Sequence, residues 1–204
     1  MKEYIMEFIG AMFLVLVISL TGNPIAIGMI LCSLVYIGGH VSGAHYNPAV
    51  TLSVWMRGKI KSGKVFGYFA AQILGAFTAA LIYYCLTKKA FMPSPAAGVS
   101  ILQSFLIEIL FTFVLCYVVL VVATSRKFEG NHIYGIAIGF ALMAGAFAGV
   151  NISGAVYNPA VALGAAIIGT SLGSANWVNV ALYLIGPLAG GAVAALAFRF
   201  FNPD

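Results

Sequence analysis

Two short stretches of this chain carry the residues best placed to do chemistry. Ser42-Gly43-Ala44-His45-Tyr46-Asn47-Pro48-Ala49-Val50-Thr51-Leu52 and Ser153-Gly154-Ala155-Val156-Tyr157-Asn158-Pro159-Ala160-Val161-Ala162-Leu163 are identical at nine of eleven positions, at a separation of 111. Asparagine is a favoured helix N-cap, and proline is favoured at the first helical position. Each copy therefore predicts a helix starting after Asn47 or Asn158. The apolar stretches that follow, about 48–57 and 159–169, are too short to cross a bilayer. The chemistry on offer is hydrogen bonding by the two asparagine amides, reinforced by roughly half a positive charge at each helix start.

Other reactive side chains are sparse. Glu7 and Glu108 each interrupt an apolar run, and an intramembrane carboxylate is a functional candidate by default. Their symmetric placement, with no basic partner nearby in sequence, weighs against a proton relay. His40 and His45 have no further ligands near them and do not close a metal site. Cys32, Cys85 and Cys116 sit in apolar runs without metal-ligand spacing and read as packing residues. The sequence carries no Ser-His-Asp set, metal cluster or phosphate-binding loop, so neither an enzyme nor a cofactor is expected.

The elements that must position these residues follow from composition. Hydrophobic residues make up 62% of 204 and charged residues only 7%. A soluble domain carries about 25% charged residues, so the solvent for most of this chain is lipid. Segments of about 4–21, 25–41, 64–86, 101–124, 132–150 and 176–200 are long enough, or nearly so, to span a core of ~30 Å. The expected fold is an all-α membrane protein with six transmembrane helices and two re-entrant half-helices. Non-helical backbone at membrane depth persists only where protein buries it or water receives it, so the Gly-rich approaches to Asn47 and Asn158 imply a cavity.

Ten basic residues form no stripe suited to nucleic acid. Lys2, Arg57, Lys59, Lys61, Lys64, Arg126, Lys127 and Arg199 fall on one side of the expected spans, and only Lys88 and Lys89 on the other. The positive-inside rule then places both termini in the cytoplasm. Small residues spaced by four (Gly67, Ala71, Gly75; Gly135, Gly139; Gly186, Gly190, Ala194) mark faces where helices approach closely.

Three spans per half turn the second half upside down in the membrane, giving inverted halves of about 1–90 and 101–204 within one domain. Glu7 and Glu108 recur in the first span of each half, and Tyr68 and Tyr183 in the third. With its paired Asn-Pro-Ala motifs, the chain resembles the aquaporin, or major intrinsic protein, family over essentially its whole length.

That resemblance implies a passive channel in a cell membrane for water or small uncharged solutes, assembled as a homotetramer. Asn47, Pro48, Ala49, Asn158, Pro159 and Ala160 would form the pore centre. Carbonyls of Gly43, Ala44, His45, Tyr46, Gly154, Ala155, Val156 and Tyr157 would line the path. Glu7 and Glu108 would brace the re-entrant loops, with His40 packing beside the first and His45 hydrogen bonding near the pore. A cation ~5 Å from both half-helix ends, at an effective dielectric constant of ~20, meets repulsion of about 3 kcal/mol, roughly a hundredfold exclusion that neutral solutes escape.

The family's selectivity constriction maps to Ile27, Ala146, Ala155 and Val161. Most members have arginine at the last position, and water-selective members usually have histidine where this chain has Ala146. An apolar ring without fixed donors implies a wider, less polar constriction than a strict water channel has. Glycerol, urea, ammonia, hydrogen peroxide and neutral metalloid hydroxides join water among the candidate solutes. A secondary transporter, the alternative from another class, would need ionisable pairs at the midplane, where only Glu7 and Glu108 are available.

Overall fold

The computed structural model describes residues 1–202. All of its regular elements are helical: α1 (Lys2–Thr21), α2 (Pro24–Ser42), α3 (Pro48–Met56), α4 (Ser62–Thr87), α5 (Ile101–Thr124), a 3₁₀ turn (Arg126–Phe128), α6 (Tyr134–Gly149), α7 (Pro159–Ser171) and α8 (Trp177–Phe201). Local sequence fixes the starts. Asn23 and Asn176 cap α2 and α8 by accepting backbone N–H groups two and three residues on. Ser100 and Gln103 form a reciprocal capping box at the start of α5.

Among the described residues, five helices are long and apolar enough to cross a membrane: α1, α2, α4, α5 and α8. The sixth expected span, 132–150, is shorter than read. α6 has 16 residues, or about 24 Å at 1.5 Å per residue. Asn131 delays its start: Nδ2 donates to Val122 O at 2.8 Å and Oδ1 accepts from Ile133 N at 3.2 Å, holding the entry against the end of α5. At the other end, Ile152 N and Ser153 N both donate to Gly149 O, closing a turn that releases the chain towards Asn158.

Packing repeats between the halves. α1 lies along α4 as α5 lies along α8, and α1 meets α2 as α5 meets α6. The short helix of each half packs on the last helix of the other, α3 on α8 and α7 on α4. Small residues permit these approaches. A Cβ on Gly139 would sit 2.5 Å from Gly28 O, and one on Gly190 would sit 2.5 Å from Ile109 O. The close faces read from sequence are therefore the α4·α1, α6·α2 and α8·α5 contacts, a Cβ on Gly75 meeting Phe8 O.

The polarity of the bundle is the reverse of a soluble protein's. Glu7, Gln72, Glu108 and Thr112 are fully buried, whereas Phe66, Leu102, Phe140 and Leu196 are exposed. Trp55, near the C-terminal end of α3, donates to Ser62 at the start of α4. Near the other end of α4, Met92 of the following connection packs against Gly169 of α7. The two short helices thus enter from opposite ends of α4 and meet at their N-termini.

Candidate functional site

The approaches to Asn47 and Asn158 hold an alternating backbone. Gly43, Ala44 and Tyr46 have φ of 88°, 52° and 51°, and Gly154, Ala155 and Tyr157 have 82°, 56° and 48°. Left-handed geometry at non-glycine residues costs roughly 1–2 kcal/mol each and persists only where surrounding bonds enforce it. The glutamates supply those bonds. Glu7 accepts from Ser42 Oγ (2.6 Å), His45 N (2.9 Å), Tyr46 N (2.6 Å) and Gln72 Nε2 (2.8 Å). Glu108 accepts from Ser153 Oγ (2.6 Å), Val156 N (2.9 Å) and Tyr157 N (2.7 Å).

Tyrosines hold the same loops from behind. Tyr68 OH donates to Ser42 O and Tyr183 OH to Ser153 O. Tyr46 OH and Tyr157 OH donate to Leu34 O and Gly145 O on neighbouring helices. With the loop N–H groups of both halves drawn onto the carboxylates, the carbonyls are left over. Among the described residues, no protein donor reaches the carbonyls of Gly43, Ala44, His45, Gly154, Ala155 or Val156. Ala44, His45 and Val156 are buried, and buried backbone acceptors without protein partners call for water or solute.

The asparagines join the halves. Asn47 Oδ1 accepts from Ala49 N at 2.8 Å and Nδ2 donates to Tyr157 O at 2.8 Å. Asn158 mirrors this, accepting from Ala160 N at 3.0 Å and donating to Tyr46 O at 3.0 Å. A side-chain amide carries two N–H donors, so one on each asparagine stays available. The Tyr46 and Tyr157 carbonyls, expected to line the path, each spend one acceptor site on this cross-tie.

Both asparagines border a cavity of about 20 Å³, enough for about one water molecule. Its other walls include Ile27, Leu31, Val50, Ile138 and Leu142. A larger chamber of about 950 Å³ adjoins it, lined by His40, Lys59, Lys61, Lys64 and Arg126 among others. His45, Val119 and Ile138 border both spaces and mark the neck between them.

Of the four expected constriction positions, Ile27 and Ala155 border the small cavity. Ala146 and Val161 lie outside its lining, buried to 3% and 0% exposure. Val161 sits in an apolar cluster with Val15, Ala76, Ala79, Leu182 and Tyr183. His45 does hydrogen bond: its Nδ1 lies 3.1 Å from Thr51 Oγ1. His40 faces the chamber.

Sequence reading missed Gln72 and Thr51, which complete the polar shell of the first loop through a 2.9 Å bond to one another. Ser42 and Ser153 stood inside the repeated stretch and could have been flagged. Gln72 could not, because Pro187 occupies the corresponding place in the second half at the offset that relates Tyr68 to Tyr183.

Paired short helices meeting at cross-tied asparagines, inside an all-α bundle with a lipid-facing exterior, define an integral membrane protein of the channel-like fold that encloses a central cavity. The chain belongs to the major intrinsic protein family, whose model matches residues 1–198. It is 40% identical over 171 residues to the aquaporin TIP1-1 of Arabidopsis thaliana, covering 82% of this chain and 66% of that relative. It is 32% identical over 201 residues to Aquaporin-4 of Mus musculus, covering 89% of this chain and 59% of the relative. The chain thus spans about two thirds or less of the length of these relatives. Its fold superposes on the aquaglyceroporin from Plasmodium falciparum with a TM-score of 0.85 at 23% identity, over 97% of this chain and 94% of that one. An FNT family ion channel shares the fold more distantly, with a TM-score of 0.60 at 14% identity, over 98% and 89% of the two chains.

Proposed function

We propose that the chain forms a passive channel through which water or small uncharged solutes cross the membrane one at a time. The observation that carries this reading is the reciprocal tie of Asn47 to Tyr157 O and Asn158 to Tyr46 O beside a cavity with room for about one water molecule. It leaves one fixed donor per asparagine at the meeting point of two helix N-termini, a setting that welcomes a neutral oxygen and repels a cation. The partnerless carbonyls on either side supply acceptors for the donors of the same solute.

Within this reading the selectivity constriction lies at Ile27, Ala146, Ala155 and Val161, which bring no fixed charge. The cavity's volume of about 20 Å³ suits water and ammonia, whereas hydrogen peroxide, urea, glycerol and metalloid hydroxides require its walls to part. The halves are inverted, both termini face the cytoplasm of a plasma membrane, and the functional unit is a homotetramer. Catalysis has no part in the reading.

Purified protein in liposomes, challenged by stopped-flow with a panel of neutral solutes, tests the proposal. The expected result is flux above protein-free vesicles that is linear in the solute gradient. Saturable flux that requires an ion gradient would replace the channel with a transporter.

A further inference from the structure

The two walls of the asparagine cavity are unlike. In the first half, His45 Nδ1 lies 3.1 Å from Thr51 Oγ1, and Gln72 Nε2 donates to Thr51 Oγ1 at 2.9 Å and to Glu7 Oε2 at 2.8 Å. The other ring nitrogen of His45 has no protein hydrogen bond among the described residues, at the neck where cavity and chamber meet. In the second half the corresponding positions are Val156, Ala162 and Pro187. Val156 borders the same cavity and is backed by an apolar cluster that includes Val15, Ala79 and Val161. No side chain of that wall replaces the histidine.

A water molecule entering the cavity must exchange its shell of neighbours for groups on the wall. On the first-half side it meets a ring nitrogen, an asparagine donor and carbonyls. On the second-half side it meets an asparagine donor, carbonyls and Val156, which brings no side-chain donor or acceptor. The deficit is one hydrogen bond at the position where His45 has its counterpart. Solutes that bind their hydration less strongly lose less there, because a polar group pays for burial only in proportion to the bonds it forfeits.

Resting on the channel reading above, we propose that Val156 is a specificity-determining residue, which slows water relative to neutral solutes of similar size and weaker hydration, ammonia being the simplest. The asymmetry between His45 and Val156 makes the Val156 side of the cavity the principal barrier to water.

Val156→Thr tests this, because it exchanges a methyl group for a hydroxyl with almost no change of shape, and Val156→Ala separates polarity from size. Water and ammonia fluxes are measured by stopped-flow on proteoliposomes of each variant. The expected result is a water flux raised about fivefold in Val156→Thr, the factor supplied by one ordinary net hydrogen bond, with ammonia flux changed less than twofold. Val156→Ala should not reproduce the change in the water-to-ammonia ratio. If Val156→Thr does not reach the vesicles, Val156→Ser carries the same hydroxyl in a smaller volume and is compared with Val156→Ala. An unchanged ratio in the hydroxyl variant, or an equal change in Val156→Ala, overturns the role of Val156 while leaving the channel reading intact. Wild-type vesicles that pass neither solute above protein-free controls overturn the channel reading, and this inference with it.

Discussion

Asn47 donates its side-chain amide to Tyr157 O at 2.8 Å, across 110 positions of sequence, while its own Oδ1 is held by Ala49 N. The same side chain therefore caps a helix of one half and clamps the loop of the other. Its orientation is set at both ends, which is what a fixed donor at a passage requires. Exchanging the amide for a carboxylate removes both donors and sets a negative oxygen against the Tyr157 carbonyl.

Asn47→Asp and Asn158→Asp should each reduce neutral-solute flux by about tenfold, or admit cations, since losing the amide donor leaves the buried Tyr157 or Tyr46 carbonyl unpaired at a cost of about 1–3 kcal/mol. Stopped-flow flux and planar-bilayer conductance check the two outcomes. Wild-type flux without conductance in both variants, at normal membrane yield, would remove the asparagines from the pore centre.

Glu7 and Glu108 should behave as braces. A glutamine at either place presents an N–H₂ where backbone N–H groups now donate, leaving at least one of them unsatisfied at about 1–3 kcal/mol. Thermal unfolding of purified Glu7→Gln and Glu108→Gln should begin at lower temperature than the wild type, with proton leak unchanged. A variant of normal stability whose proton leak is altered would point instead to a relay.

Val161→Arg places a guanidinium where the wild-type side chain is fully buried among Val15, Ala76, Ala79 and Tyr183. A charge left in that cluster costs several kcal/mol, so the arginine is expected to turn towards the passage. Flux of urea- and glycerol-sized solutes should then fall much further than water flux, accompanied by a lower unfolding temperature. Unchanged large-solute flux in a folded variant would place the constriction elsewhere, as would a wild type that already rejects everything larger than water.

Orientation is open to direct labelling. Single cysteines beside Lys88, introduced after Cys32, Cys85 and Cys116 are replaced, should react with an impermeant thiol reagent applied outside intact cells. Cysteines beside Lys61 or Lys127 should react only after permeabilisation. The reverse pattern would invert the assigned topology.

Much of this architecture was legible from the chain itself. Apolar runs near 20 residues, Asn-Pro helix starts and the repeated stretch around Asn47 and Asn158 are local signals, and the α-helices of the described residues follow them closely. Burial of Glu7 and Glu108 was also readable, since a carboxylate inside an apolar run has to turn inward in lipid. What sequence could not supply were facts that depend on two distant segments meeting. The length of α6 was decided by Asn131 reaching back to Val122. The close packing of Val161 was decided by α1, α4 and α8 closing around it, which its place in the motif did not show. Gln72 joined the site only because α4 lies against α1, bringing its amide within 2.8 Å of Glu7. Periodicity and capping act over one or two turns of chain, whereas side-chain direction at a site is set by packing between helices, and only the folded bundle specifies that.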